Sequence, residues 1–390
     1  MLNNLLPLNR EESSYTPVCL LLSIRNFVTQ VFPASYDLEF VNLSTKLRQF
    51  FTMPAARMKV SVVVPVRDEE DSIRELLDSL LAQTRPPDEI VIADGGSVDA
   101  TPQIIEEYIR QGAPVRLIRA GAALPGRGRN LAAAHASFEW LAFTDAGIRV
   151  ANNWLEALVT KAEGDDSIDV IYGFWQPVTN TFFTECAAIA YVPPPELREG
   201  MMTRPRFIAS SLFRREAWQA VNGFPEDLRS AEDLLFMDRV EDAGYRSVFE
   251  PGAQVQWKLK PTLGATFKRF MVYSRNNIRA GLFRQWQATI LVRYAVLTLL
   301  LVVALVVEPA WVWFPFGLWL LMLAARAVVS IRRNRICYPA SFGRNVRRAA
   351  MVMSLLAVLD SAAIIGSIQW LLLDSFRWSR KAPVEAGDGA

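Results

Sequence analysis

Histidine is almost absent: His135 is the single one in 390 residues. A histidine-based triad or a zinc site therefore has almost nothing to work with. The three cysteines, Cys19, Cys186 and Cys337, are odd in number and far apart. That spacing excludes a disulfide framework and a cysteine metal cluster, and suits a reducing compartment. An excess of charge is missing as well, since 42 Lys and Arg against 40 Asp and Glu leave a formal +2. No basic patch is interleaved with aromatics, so nothing points to nucleic acid. The first 57 residues also lack a clean apolar run: residues 18–32 are their most apolar piece, and Arg25 and Asn26 break it. This is neither a signal peptide nor a span. Residues 1–57 are expected to be a poorly ordered extension or a start-site artefact, with the functional product beginning at Met53 or Met58. A membrane-contact helix over 18–32 is the alternative.

Apolar residues make up 51% of the chain, and the excess lies after residue 288. Two stretches, 288–307 and 310–330, meet at Glu308-Pro309, and a third runs over 350–373. Each is near the length a bilayer span requires. Arg332, Arg333, Arg335, Arg344, Arg347 and Arg348 all fall between the second and third stretches. The positive-inside rule puts that loop in the cytoplasm, on the same side as the preceding domain. A third span would send the tail, 375–390, outside, whereas Arg377, Arg380 and Lys381 pull it back. Just before the spans, residues 261–285 place Lys268, Arg269, Arg275 and Arg279 among Phe267, Phe270, Met271 and Ile278. Such a helix commonly lies on an anionic membrane surface.

From Lys59 onward the pattern is βαβ. Val60 to Val66, Glu89 to Ala93 and Val115 to Ile118 read as strands, and Ile73, Leu76, Leu77, Leu80 and Leu81 recur at helical spacing. Trp140 to Phe143 is a fourth strand, ending abruptly in Thr144-Asp145-Ala-Gly147. Open α/β sheets hold their ligands at the carboxyl ends of strands, so this turn and Asp94-Gly-Gly-Ser-Val-Asp99 are candidate site elements. Asp145 as a simple turn cap is the alternative. Pro125-Gly-Arg-Gly-Arg-Asn130 reads as a flexible basic turn opening a helix, with arginines suited to diphosphate. Leu131 breaks the dinucleotide glycine spacing. Further on, 169–174 and 207–213 read as strands, and Glu232 and Asp233 open another helix. Acids there complement the helix dipole whether or not they react.

Taken together, Pro65-Val-Arg-Asp-Glu-Glu70, Asp94-Gly-Gly-Ser-Val-Asp-Ala-Thr101, Gly126-Arg-Gly-Arg-Asn130, Thr144-Asp-Ala-Gly147 and Ala231-Glu-Asp-Leu234 resemble, in order and spacing, the family 2 glycosyltransferases. The resemblance implies a GT-A fold, a Rossmann-like and mostly parallel sheet, over 58–260, with membrane helices following; it also implies, as the alternative to a surface helix, that 261–285 roofs the active site with Arg275 or Arg279 reaching the donor diphosphate. It also implies an inverting transferase that uses a nucleotide-diphosphate sugar, usually with magnesium or manganese, and here a lipid or lipid-linked acceptor at the cytoplasmic face of a bacterial inner membrane. Carried over by position, Pro65, Val66 and Glu69 contact the nucleoside, Asp94 accepts from the base and Arg127 lies near base and phosphates. Asp145 is the first carboxylate of the metal motif and Asp233, beside Glu232, is the catalytic base. Gly147 stands where the second metal carboxylate belongs, so Asp145 holds a loose ion, or Arg127 and Arg129 neutralise the leaving charge instead. Gly147 also motivates a rival, a catalytically silent sugar-nucleotide binder. A nucleotidyltransferase would carry a glycine-rich loop after the first strand, where this chain has Arg67-Asp-Glu-Glu70.

Overall fold

A computed structural model describes residues 57–198 and 200–374. The expectations for the extension before Arg57 and for the tail after Asp374 lie outside the described residues.

The first strand, β1 (Val60–Val66), shows why the sheet is buried on both sides. Val60, Val62 and Val64 enter one apolar cluster and Val63 the opposite one. A continuous valine run of this kind needs cover on both faces. Helix α1 (Ile73–Leu81) supplies part of it with Ile73, Leu76, Leu77 and Leu80, the face read from their spacing. Strand β2 (Glu89–Asp94), helix α2 (Thr101–Arg110), strand β3 (Val115–Arg119), helix α3 (Pro125–His135) and strand β4 (Trp140–Phe143) complete a parallel unit in which β1 lies between β2 and β4. After β5 (Ile148–Val150), α4 (Trp154–Glu163) and β6 (Val170–Val178) come α5 (Phe182–Tyr191) and a hairpin of β7 (Glu196–Arg198) and β8 (Met201–Thr203). Strand β9 (Ser211–Arg214), helices α6 (Arg215–Ala220) and α7 (Glu232–Asp242), and strand β10 (Ser247–Lys258) close the domain. The sheet order is β3-β2-β1-β4-β9-β6-β10-β5, with β9 antiparallel to both neighbours. This is the expected mostly parallel GT-A sheet.

Two expectations change. The strand read over 207–213 is only β9, because Phe207 to Ser210 form a turn whose Ser210 N–H donates to the Phe207 carbonyl at 3.1 Å. Nor is 125–130 a flexible turn. It is the first turn of α3, and its glycines serve close packing: a Cβ on Gly126 would stand 2.0 Å from the Pro225 carbonyl oxygen, and one on Gly128 would stand 3.1 Å from Pro65 Cβ.

The amphipathic segment forms α8 (Leu263–Arg279), followed by a short α9 (Phe283–Trp286). Three helices long and apolar enough to cross a membrane come next. They are α10 (Ala288–Val307), the stretch Pro309–Arg333 containing α11 (Trp313–Arg333), and α12 (Phe342–Leu373). The last begins eight residues before the expected run, so Arg344, Arg347 and Arg348 belong to the helix rather than to a loop.

Substituting Gly126→Ala is expected to cost about 1–3 kcal/mol, the scale of overpacking. Gly264→Ala, a helical position with nothing within 4 Å of the added methyl, is the control and should be neutral or slightly stabilising. Thermal unfolding of the full chain in detergent reads both, and equal melting temperatures for the two variants would contradict the packing role given to Gly126.

Candidate active site

The parallel register brings the expected donor residues to one edge. Val66 pairs with Asp94, and Val63 with Phe143, so Asp145 lies two residues past the β4 ladder at the level of Pro65. The turns after β1 and β2 are clasped together. The Asp68 N–H donates to Ser97 Oγ at 2.9 Å, the Val98 N–H to Asp68 Oδ1 at 2.9 Å, and the Glu69 N–H to Thr101 Oγ1 at 2.8 Å. Asp68 is held at φ 54. Asp94 Oδ1 accepts from Ser97 N and Oγ, which leaves Oδ2 without a donor among the described residues. Val66 is different, since its side chain is in the core and its carbonyl accepts from Gly95. Glu69 accepts from the Ser72 hydroxyl.

At the centre stands Arg129, which the sequence pairs with Arg127 as a candidate to neutralise the leaving charge. Its guanidinium donates to Asp145 Oδ1 and to Glu232 Oε1, both at 2.7 Å, with only 5% of its side chain exposed. Arg127, two residues earlier on the same helix, is exposed, and its side chain makes no hydrogen bond or ion pair among the described residues. A 200° separation on the helix wheel accounts for their opposite fates. Asn130 does a third job, donating to the Phe224 carbonyl and accepting from its N–H, both at 2.9 Å. This clamps the loop that leads to α7.

Glu232 and Asp233 open α7 as expected, after Ala231 at φ 70, a left-handed conformation rare for a residue with a Cβ. Strain of this sort gathers at functional sites. Beneath the acids, Phe143, Phe213, Phe224 and Phe236 form an aromatic floor, with Phe224 and Phe236 stacked at 3.9 Å and Arg129 5.4 Å above Phe224. The dry floor explains the titration behaviour. Burial, then the neighbouring Asp233, pushes Glu232 up to about 7, against the pull of Arg129. Burial also raises Asp233, which stays partly exposed and is opposed by Arg129. For Arg129 itself burial works against the charge, but Asp145, Glu232 and Asp233 outweigh it and its pKa is raised. Among the described residues, the buried polar atoms without a partner include Arg129 Nε, Thr144 Oγ1, Ser230 Oγ and Glu232 Oε2 at this site, where a ligand's polar groups are expected.

The arginines of α8 that were expected to reach inward are engaged elsewhere. Arg275 pairs with Asp374 at 2.6 Å and Arg279 donates to the Asp227 carbonyl at 2.9 Å, both away from the acids. Tyr273 instead feels the charges of Asp233, Glu232 and Asp145, and burial raises its phenol. Arg269 sits between the rings of Trp257 and Tyr273, at 5.5 and 5.9 Å.

Metal binding can be tested on the donor set. Gly147 has φ 77, a conformation that suits glycine, and the nearest side-chain atom to its absent Cβ is Glu69 Oε2 at 3.7 Å. No group of three or more metal-ligating side chains occurs among the described residues. Yet Asp145, Glu232 and Asp233 outnumber the one buried guanidinium, so an added diphosphate meets surplus negative charge. Such a set fits a divalent ion that arrives with the diphosphate, not one that the protein holds alone.

Two family descriptions match the chain, Glycosyl transferase family 2 over residues 61–211 and Glycosyl transferase family group 2 over residues 170–359. The chain belongs to the family 2 glycosyltransferases. Among its relatives, the uncharacterized glycosyltransferase EpsJ of Bacillus subtilis is 28% identical over 194 residues, covering 45% of this chain and 54% of that protein. The poly(ribitol-phosphate) beta-N-acetylglucosaminyltransferase TarS of Staphylococcus aureus is 29% identical over 186 residues, 46% of this chain and 32% of TarS. This glycosyltransferase thus spans about half or less of those relatives' lengths. Solved structures with which it aligns include S. aureus TarS 1-349 in complex with UDP (21% identity, 79% of this chain and 90% of that one, TM-score 0.43) and the mannosyltransferase PcManGT from Pyrobaculum calidifontis in complex with GDP-Man and Mn2+ (18%, 85% and 94%, TM-score 0.47).

The pH dependence follows from Glu232. A carboxyl raised in the folded state binds its proton more tightly folded than unfolded, so its contribution favours the folded state at low pH. That contribution falls as pH rises from about 4.5 to about 7. Glu232→Gln is expected to flatten the melting temperature of the full chain across this window; an unchanged slope would show that Glu232 does not titrate there.

Proposed function

We propose that this glycosyltransferase moves a sugar, with inversion, from a nucleotide-diphosphate donor of the UDP or GDP type to a lipid or lipid-linked acceptor at the cytoplasmic membrane face. The observation that carries the reading is the cluster of Asp145, Arg129, Glu232 and Asp233, which joins the donor edge of the sheet to a partly exposed carboxylate at a helix start. Three long apolar helices attached to the same domain favour an acceptor carried by lipid. That TarS is named for a poly(ribitol-phosphate) acceptor fits a cell-envelope role.

In this mechanism the donor lies over β1, β2 and β4. Asp94 Oδ2 accepts from the base, and Pro65 and Glu69 flank the nucleoside. Asp233 takes the proton of the acceptor hydroxyl as its oxygen attacks the anomeric carbon. The bond from that carbon to the diphosphate oxygen breaks on the far side, and the nucleoside diphosphate leaves with the electron pair. The elevated pKa of Asp233 makes it a stronger base than a solvated aspartate. Glu232 does not touch the substrate in this scheme: it holds Arg129, which in turn fixes Asp145. Tyr273 closes the site from above. A divalent ion bound with the donor would be held by Asp145 and would screen the negative charge of the diphosphate.

Asp233→Asn is expected to leave nucleotide-sugar binding nearly intact and to lower turnover by a factor on the order of 100 or more, the scale of losing a positioned base. Release of nucleoside diphosphate in single-turnover assays, beside a thermal-shift binding series, measures both quantities. Unchanged turnover would remove Asp233 as base and point to an acceptor that is already ionised.

The metal assignment has its own test by calorimetry. Asp145→Ala should weaken donor binding only when magnesium or manganese is present, whereas Arg127→Ala, altering an exposed cation near the expected phosphates, should weaken it with or without the ion. Wild-type donor affinity and full activity of Asp145→Ala in excess EDTA would make Asp145 a turn residue.

A further inference from the structure

Helix α12 has the length and hydropathy of a span, but its contacts are those of a helix lying along the protein. A crossing helix needs its ends on opposite sides of about 30 Å of hydrocarbon. Both ends of α12 are tied to the same soluble body. At its start, Arg344 and Arg348 both pair with Glu185 of α5. In its middle, Val352, Leu355 and Leu356 share one apolar cluster with Cys186, Ala187 and Ile189 of α5. Toward its end, Ser274 Oγ of α8 donates to the Ala363 carbonyl at 2.9 Å, and a Cβ on Gly366 would stand 2.5 Å from the Met271 carbonyl oxygen. The next residue, Asp374, accepts from Arg275 of α8 at 2.6 and 2.9 Å.

Helices α5 and α8 cannot be separated to accommodate a crossing. Tyr191 and Phe270 join them ring to ring at 4.8 Å. Helix α8 is bonded to the domain through the Arg229 N–H to Asn276 Oδ1 and through Arg279 to the Asp227 carbonyl. Carrying the far end of α12 across a bilayer would draw Lys268, Arg269, Arg275 and Arg279 of α8 into hydrocarbon, which guanidinium and ammonium groups resist. The burial pattern agrees: 39% of the most apolar window of α12 is covered by protein, against 6% for α10 and 17% for the α11 stretch. Opposite the covered side, Ala350, Ser354, Ser361, Ile365, Ile368 and Leu372 are exposed at intervals of three, four and seven residues, which is one helical stripe.

From this geometry we infer that α12 lies in the plane of the membrane surface beneath the catalytic domain. The end of its outward stripe, Ile365, Ile368 and Leu372, rests at the acyl boundary, and the α10–α11 hairpin is the crossing element among the described residues. The described chain then crosses twice, and the end of α12 stays on the side of the catalytic domain. This rests on the membrane attachment proposed above and goes beyond it by fixing how the third apolar helix meets the lipid.

The test uses the full chain with Cys19 and Cys186 changed to serine, so that the exposed Cys337 just ahead of α12 reports one side. A second variant carries Cys337→Ser and Ala390→Cys to report the other end. An impermeant maleimide is applied to right-side-out and inverted vesicles after carbonate washing. Labelling of both positions from the same membrane face is the expected result. Labelling from opposite faces, with the chain retained through carbonate, overturns the inference and leaves the membrane-attached transferase standing. Release of the chain by carbonate overturns both. A nitroxide at Ile368→Cys gives an independent readout: a shallow depth, roughly 5–10 Å below the headgroup boundary, is expected, and a position at the bilayer centre contradicts the in-plane placement.

Discussion

Most of the site depends on one guanidinium. Arg129 and Glu232 are separated by 103 residues, and Arg129 and Asp145 by 16, yet the 2.7 Å bonds from Arg129 to each of them hold the end of β4 and the start of α7 at a fixed separation. Breaking a buried pair by removing one partner strands the other charge and costs several kcal/mol, about 3–5. Here the removal would strand two carboxylates over a floor of phenylalanines. The supports of Arg129 are correspondingly specific. Gly126 and Gly128 let α3 approach Pro225 and Pro65, and Asn130 holds the loop at Phe224 whose ring lies under the guanidinium.

The same arrangement sets the electrostatics. Three acids around one arginine cannot all be ionised cheaply in a dry environment. The excess appears as raised pKa values on Glu232 and Asp233, the two acids at the start of α7. An elevated carboxyl next to a more accessible one is a useful pair for proton transfer, because the buried member tunes its neighbour without competing for the substrate. Gly147 belongs to this picture. Its left-handed conformation, φ 77, is what the tight turn between Asp145 and β5 requires, with the Ile148 N–H donating to the Asp145 carbonyl at 3.3 Å. A second carboxylate at 147 would strain that turn and add a further negative charge to a site already short of positive ones.

Much of the fold is legible in the sequence, because strands buried on both faces leave unbroken valine and isoleucine runs. Val60 to Val66 and Glu89 to Ala93 could be read directly, as could the apolar face of α1. Strand β10 was not legible. Its run is interrupted at Pro251-Gly252, where the register with β6 shifts, so alternation fails on either side of the bulge. The hairpin of β7 and β8 follows three consecutive prolines and is too short to show a period. Within the site, acids at strand ends and at a helix start stand out because position in the fold explains them. The choice between Arg127 and Arg129 does not stand out. Both occupy the same basic motif, and only the helical phase of α3, which the two glycines disguise as a loop, decides that Arg127 faces solvent while Arg129 faces the acids. In α8 the same difficulty recurs, since four basic residues advertise themselves while the residue that feels the charges of the acids is Tyr273.

That tyrosine also links the site to the apolar C-terminal region. Along α8, the Tyr273 phenol feels the charges of the acid cluster, Ser274 donates to the backbone of α12, and Arg275 pairs with Asp374 just past the end of α12. Three successive residues on a helix point in directions about 100° apart, so one turn of α8 meets the field of the acid cluster on one side and the contacts of α12 on another. Glu185, held by Arg344 and Arg348, pins the opposite end of α12 to α5. A shift of α12 along the domain would therefore strain α8 at Ser274 and Arg275, next to Tyr273, before it disturbed any sheet strand.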